Sequence, residues 1–557
     1  RSGGAESGAG RRAERTARRR SGLAAVSGSA AEILVVGAGP TGLALALQAH
    51  DHGARVRVIE RRAELFRPSK ALLMHPRTLE LLRPLGVTDA LLARGDTTAS
   101  AQLHLRSRVV TVHVEALDLP GTAFPHLLVI RQADVEAVFA QALEARGVSI
   151  ERGTELRGFR LQPRRAVIRR EGVQEEIPYR YLVGCDGAAS MVRGRVGAWR
   201  GGDYAEEVVL ADLELGPHLG PQAGVGDSLE PTVAHVAAAR SGVLFLFARG
   251  ERAVWRMLAS RPAGRAPAAF GQPGAHVPRA ELQALLDAAR LPARIRTVVW
   301  SAPVRLQHRL ATHFRRGPFF LAGDAAHAHS PAGGQGMNLG IQDALNLGWK
   351  LAFAQNAARP PQLLLNSYEA ERRPVDQRVL RATHVIFWAE ASRHPLAQFL
   401  RAVLVPIGAP VLPWLIRRRR LMAAGARTLS QFGLRYRHSP LSVNGGLPAP
   451  TGPHPGDRLA DTEVTCAGVR VRLHNLLARP GVHILLQAAA ADPAIPPLTP
   501  ALTDARIHVH RLTDRPGTGV LIVRPDGHVG FRAASVDPLQ LLGWLRLIGL
   551  GPSDPLG

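Results

Sequence analysis

No feature restricts the fold of this chain more than the ten residues ILVVGAGPTG at 33–42. The uninterrupted apolar run reads as a strand buried on both faces, and Ala44–His50 continues as a helix. Between them the glycines divide the work. Gly37 permits the tight turn, Gly39 lets a pyrophosphate approach the backbone, and Gly42 lets helix and strand pack closely. The opening turn of the helix offers unpaired N–H groups to phosphate. RVRVIE (55–60) reads as the next strand and ends on Glu60, 18 residues beyond Gly42, placed to accept from an adenosine ribose, with Arg61 beside it. An acid there favours an unphosphorylated ribose, hence FAD or NAD rather than NADP. This pattern predicts an α/β fold with a doubly wound parallel sheet.

A second run, GPFFLAGDAAHAHSPAGGQGMNLGIQDALNLGWKLA (317–352), repeats the logic of strand, glycine loop and helix. Asp324 at the strand end can accept from a polyol hydroxyl. Pro331, Gly336, Met337 and Asn338 lie where a loop and a helix start could aim N–H groups at an electron-rich ring. His327 and His329 flank Asp324 and could suggest a metal pair, but a loop beside a ligand is the expected reading, and no metal is expected. A third segment, Gly184-Cys185-Asp186-Gly187-Ala188-Ala189-Ser190 with Arg193, closes the apolar strand YLVG.

The 557 residues carry 70 basic and 45 acidic side chains, a net charge of +25, and all but Lys70 and Lys350 of the basic residues are arginines. This excess first suggests nucleic acid, but it is concentrated. Residues 1–30 hold seven Arg against two Glu with almost no large apolar residue, and read as a disordered leader. Residues 391–440 hold nine Arg and no acid. Arginine-rich composition explains the charge better than a nucleic-acid partner does. AVLVPIGAPVLPWLI (402–416), with three prolines in 15 residues, is too short to span a bilayer. It reads as a packed interdomain helix pair, with a peripheral membrane contact as the alternative. Two cysteines exclude a disulfide scaffold and fit a cytoplasmic location.

GAGPTG with Glu60, then GCDGAAS, then GDAAHAHSPAGGQGMNLGIQDA occur in the order of the class A FAD-dependent aromatic monooxygenases, and the chain resembles that family of p-hydroxybenzoate and phenol hydroxylases. The resemblance covers about 31–380, and GVLIVRPDGHVGFRA (519–533) resembles the thioredoxin-like C-terminal domain of the phenol hydroxylase branch. It implies a discontinuous FAD-binding domain (31–200 and 301–380), a β-sheet substrate domain (201–300), a helical basic linker (381–445) and a thioredoxin-like domain (446–557). It further implies that Arg131 and Gln132 contact the flavin pyrophosphate and ribitol. Lys70 would sit near the pyrophosphate, where the family has arginine, and Asp186 would serve FAD and the approach of NADH or NADPH. Ala189 replaces an arginine frequent in the branch.

The resemblance implies hydroxylation of a small aromatic substrate, phenolic or polyketide-like, with NAD(P)H and O₂ through a flavin C4a-hydroperoxide. The aspartate that serves phenol hydroxylase as base is replaced by Leu72, leaving His75, Arg305 and His308 as candidates. A flavin oxidoreductase or olefin epoxidase on the same fold is the alternative. With Cys466 alone and no CxxC, the C-terminal domain has no dithiol chemistry, and it closes over the substrate domain or makes a contact in an expected homodimer.

Overall fold

The computed structural model describes residues 33–64, 72–98, 100–105, 108–113, 119–217, 229–230, 232–239, 242–248, 253–264, 274–357, 361–392, 394–408, 410–446, 452–487, 503–514 and 519–550. The expected leader and Lys70 lie outside them.

Strand Ile33–Val36, wholly buried, sits near the middle of a six-stranded sheet. Tyr181–Gly184 and Val56–Glu60 flank it in parallel, followed outward by Phe319–Leu321 on one side and Ile150–Arg152 on the other. Parallel strands buried on both faces need apolar residues throughout; Ile33–Val36, Tyr181–Gly184 and Phe319–Leu321 are buried along their length, whereas Val56–Glu60 and Ile150–Arg152 toward the edge carry charged residues. Helix Pro40–Asp51 packs on helix Gln335–Asn356 so closely that a Cβ on Gly348 would lie 2.7 Å from the Cβ of Gln48.

The substrate-side layer is an eight-stranded sheet. Its long strands, Trp199–Pro217 and Ala293–Ala311, both overrun the expected 201–300 domain. Strand Ser100–Leu105, expected in the FAD domain, pairs in parallel with Val233–Ala239, and Arg108–His113 forms the edge beyond it. The extension arises because pairing partners far apart in sequence leave no local signature.

Helices Gln362–Ala391, Pro395–Gly408, Leu412–Arg417 and Arg419–Leu429 follow. The expected packed pair at 402–416 instead turns Leu404, Ile407 and Trp414 to solvent. No helix among the described residues is long and apolar enough to cross a membrane. The thioredoxin-like domain is a seven-stranded mixed sheet that already includes Val443–Gly445, just ahead of the expected boundary at 446.

Charge fastens that domain to the rest. Arg524 donates to both oxygens of Glu371 at 2.7 Å, and Lys350 Nζ donates to Glu371 Oε2 at 2.7 Å. Asp526 pairs with Arg524 and accepts from Asn346 Nδ2 at 2.8 Å. Lys350, Glu371 and Arg524 are fully buried. Burial penalises the Glu371 carboxylate, but Arg524 and Lys350 outweigh it and hold its pKa at about 2. Arg458 forms a second tie, reaching across to Glu80, which also pairs with Arg77.

Removing one partner of such a cluster leaves an uncompensated buried charge. Arg524→Met should lower unfolding stability by ~3–5 kcal/mol in denaturant titration; a loss below about 1 kcal/mol, typical of exposed pairs, would refute the role.

Candidate active site

The geometry of the first loop suits the three tasks its glycines suggest. Gly37 has φ +107°, and a Cβ there would strike the carbonyl oxygen of Cys185, while one on Gly42 would strike that of Gly37. At Gly39 a Cβ would meet nothing within 4 Å, because the residue faces an open cavity. Helix Pro40–Asp51 starts there with no side-chain cap, so its first N–H groups remain available to an anion. Glu60 is fixed at the cavity wall, Oε2 accepting from Ala38 N at 2.8 Å and Oε1 from Arg62 N at 3.0 Å. Arg61 lines the same wall.

Asp186 enters from the neighbouring strand. Its Oδ2 accepts from Met191 N at 2.8 Å, whereas Oδ1 is buried without a hydrogen-bond partner, and burial raises its pKa. Arg193 braces the loop by donating to Ala188 O at 2.7 Å and Ala325 O at 3.2 Å, its guanidinium 3.9 Å from the Trp199 ring centre.

The second loop turns at Gly323 (φ +61°), leaving Asp324 exposed at the cavity. Gly333 and Gly334 are consecutive left-handed residues (φ +72° and +61°) immediately before helix Gln335–Asn356, whose N-terminus also lacks a side-chain cap. Pro331, Gly336 and Met337 line the cavity.

Beneath this loop, His327 Nε2 meets Asp343 Oδ2 at 2.8 Å, and Arg372 donates to Asp343 Oδ1 at 2.7 Å. Asp376 lies 3.8 Å from His327. These three acceptor-bearing residues are close enough to hold a metal ion, yet Arg372 already supplies a cation there. Burial disfavours the imidazolium, but Asp376 and Asp343 outweigh it and raise the His327 pKa to about 9.

Several expected contacts fall elsewhere. Asn338 lies outside the cavity lining. Its Oδ1 accepts from His75 N and Thr78 Oγ1, both at 2.8 Å, and its Nδ2 donates to Leu73 O and Gly334 O, so it shapes the loop from behind. Arg131 is likewise outside the lining, paired with Asp134 at 2.7 Å, while Gln132 lines the cavity and donates to Glu136. His75 is buried behind Gly333, Nε2 lying 3.1 Å from that carbonyl, and burial pushes its pKa down to about 4. His308 packs on the rings of Tyr204 and His384 rather than on the cavity, and burial lowers its pKa. Of the three base candidates only Arg305 lines the cavity, and it is paired with Asp203 at 3.1 Å.

The cavity holds about 570 Å³ and is continuous from Gly39 and Glu60, past Asp324 and Met337, into a chamber walled by the large sheet. Val208, Leu210, Phe245, Phe247 and Leu258 supply apolar walls, and the planes of the two phenylalanines lie within 5° of parallel. Phe387 and Glu390 close it from helix Gln362–Ala391. Sequence reading missed both, although their spacing puts them on one helical face. Glu390 has no hydrogen bond or ion pair with any described residue, and burial raises its pKa.

These residues fit FAD: an open backbone approach at Gly39, an acid fixed for a ribose, an unsatisfied buried oxygen on Asp186, and a glycine loop with a free helix start. A family model described as "FAD binding domain" matches residues 30–383, and one described as "Aromatic-ring hydroxylase, C-terminal" matches 452–546. The chain belongs to the FAD-dependent aromatic-ring monooxygenases. It is 34% identical to 6-methylpretetramide 4-monooxygenase of Streptomyces rimosus over 94% of each chain. It is 29% identical to pentachlorophenol 4-monooxygenase of Sphingobium chlorophenolicum over 82% of this chain and 80% of that one. A ternary complex of aklavinone-11 hydroxylase with FAD and aklavinone superposes with a TM-score of 0.71, at 25% identity, over 93% of this chain and 98% of that one.

Because Gly39 faces open space, Gly39→Trp should fold with its stability intact but lose bound flavin absorbance. Asp324→Ala should weaken FAD binding by about 10–100-fold, the worth of a charge-assisted hydrogen bond. Full flavin retention in both would overturn the site. The raised pKa of His327 gives stability that is complete below about pH 6.5 and lost as pH rises through about 9. The stability difference between the protein and His327→Gln should therefore shrink across that window, and a constant difference would refute the assignment.

Proposed function

We propose that this chain hydroxylates a fused, polycyclic phenolic ring of the polyketide type, using NAD(P)H and O₂. The observation that supports this most directly is the continuity of the dinucleotide cradle with an apolar, aromatic-walled chamber. The names of relatives that act on 6-methylpretetramide and aklavinone agree with it. When bound, FAD supplies hydride acceptance from NAD(P)H and activation of O₂.

The chain's residues supply the rest. The uncapped helix start at Gln335 favours negative charge beside Gly333 and Gly334. Phe245, Phe247 and Leu258 exclude water and present flat surfaces to a ring. A phenol needs a group that takes its proton. His75 and His308 are turned away from the chamber, whereas Glu390 stands in its wall, unpaired with any described residue, and burial raises its pKa. In this reading Glu390 accepts the substrate hydroxyl's proton, and Arg305 favours the resulting phenolate.

Purified holoenzyme should consume NAD(P)H faster with a polycyclic phenol than without it, and release oxygenated product. If no phenolic compound raises consumption and only peroxide forms, the oxidase reading replaces this one. Glu390→Gln should lower kcat for the phenol by about 100-fold or more while leaving substrate-free NAD(P)H oxidation unchanged. Turnover within twofold of the parent, with the same pH profile, would remove Glu390 from the reaction.

A further inference from the structure

The helices that follow the catalytic frame carry apolar residues that the described residues leave partly exposed. Leu396, Phe399, Val403 and Ile407 on helix Pro395–Gly408 recur at spacings of three and four, and Val411 and Trp414 follow at the start of and within helix Leu412–Arg417. Each is between 37% and 65% exposed. The same helices are anchored from their other side, where Ala397 and Ala423 are buried and Arg401 donates to Ala389 O at 3.0 Å. Arg418, Arg420 and Arg427, on the segment that follows, are exposed, the Arg418 guanidinium 4.6 Å from the Trp414 ring centre. No acidic residue occurs anywhere in 391–440.

We propose that this face docks onto an anionic lipid surface, lying in the headgroup region without crossing it. An apolar stripe flanked by arginines, with an aromatic ring at its edge, joins the two attractions that hold an interfacial helix: burial of apolar side chains and the field of acidic headgroups. Charge separates this occupant from a second copy of the chain. A twofold contact through the same face would set arginine against arginine, with no acid in 391–440 to pair with it. Pro410 falls between helices Pro395–Gly408 and Leu412–Arg417, and the two short helices suit a surface-lying segment rather than a spanning one.

The test is cosedimentation of the full-length holoenzyme with vesicles of equal parts phosphatidylglycerol and phosphatidylcholine, and with phosphatidylcholine alone. Binding should require the anionic lipid and weaken as salt is raised. Arg418→Glu with Arg420→Glu, and separately Phe399→Gln with Ile407→Gln and Trp414→Gln, should each weaken it by roughly tenfold or more. Bound flavin and turnover without vesicles should stay at the parent level, showing that the variants fold. The proposal is overturned if the parent does not sediment with anionic vesicles, or if either set leaves binding unchanged. It is equally overturned if the parent is a dimer that the apolar set converts to a monomer without any loss of vesicle binding.

Discussion

Helix Gln335–Asn356 is buried along nearly its whole length, yet it carries the polar residues Asn338, Asp343, Asn346 and Lys350, the last three at helical spacing. Polar groups taken out of water must find partners inside the protein, and the rest of the molecule is arranged to provide them. Asn338 holds the segment from Leu73 to Thr78. Asp343 holds His327, Arg372 and the backbone of Gly323. Asn346 and Lys350 hold Glu371, and Asn346 also holds Asp526 of the thioredoxin-like domain. One polar stripe therefore fixes the cofactor loop at one end and the domain junction at the other.

This arrangement explains how the site can be open where chemistry requires it and rigid elsewhere. Gly39, Asp324 and the Gly333–Gly334 turn line the cavity, Gly39 with open space in front of it, while the atoms behind them are tied to buried partners. The apolar chamber adds confinement, with polar character left to a few groups including Arg305 and Glu390. Preorganisation of this kind lets a bound ring meet a fixed environment instead of one that must be rebuilt at each turnover.

What the sequence made legible followed from local backbone constraint. The positions of Gly37, Gly39 and Gly42 are set by residues within a single strand, turn and helix, and the tight approaches at Gly37 and Gly42 and the open space at Gly39 follow the spacing. Side-chain direction was less legible. Asn338 and Arg131 sit in the expected segments but point away from the cavity, because distant partners such as His75 and Thr78, or the nearby Asp134, capture them. Strand Ser100–Leu105 was assigned to the wrong layer because its partner, Val233–Ala239, lies more than a hundred residues on. The run at 402–416 was read as packed because an apolar segment reports that a face exists, not what covers it. Glu390 escaped notice because it is a single acid near the end of a long helix, with no motif around it.

The shared cluster of Lys350, Glu371, Arg524 and Asp526 also bears on how such chains can change over evolutionary time. Two charges come from the catalytic frame and two from the thioredoxin-like domain; each pair is neutral alone, but Glu371 takes donors from both sides and Asp526 takes one from Asn346 across the junction. A C-terminal domain from another protein could not be grafted here on shape alone. It would have to bring a cation and an anion to the same two positions, or the frame would first have to shed its own. The junction thus works as a compatibility lock, letting the surfaces of both domains diverge freely while binding their buried faces to a common history.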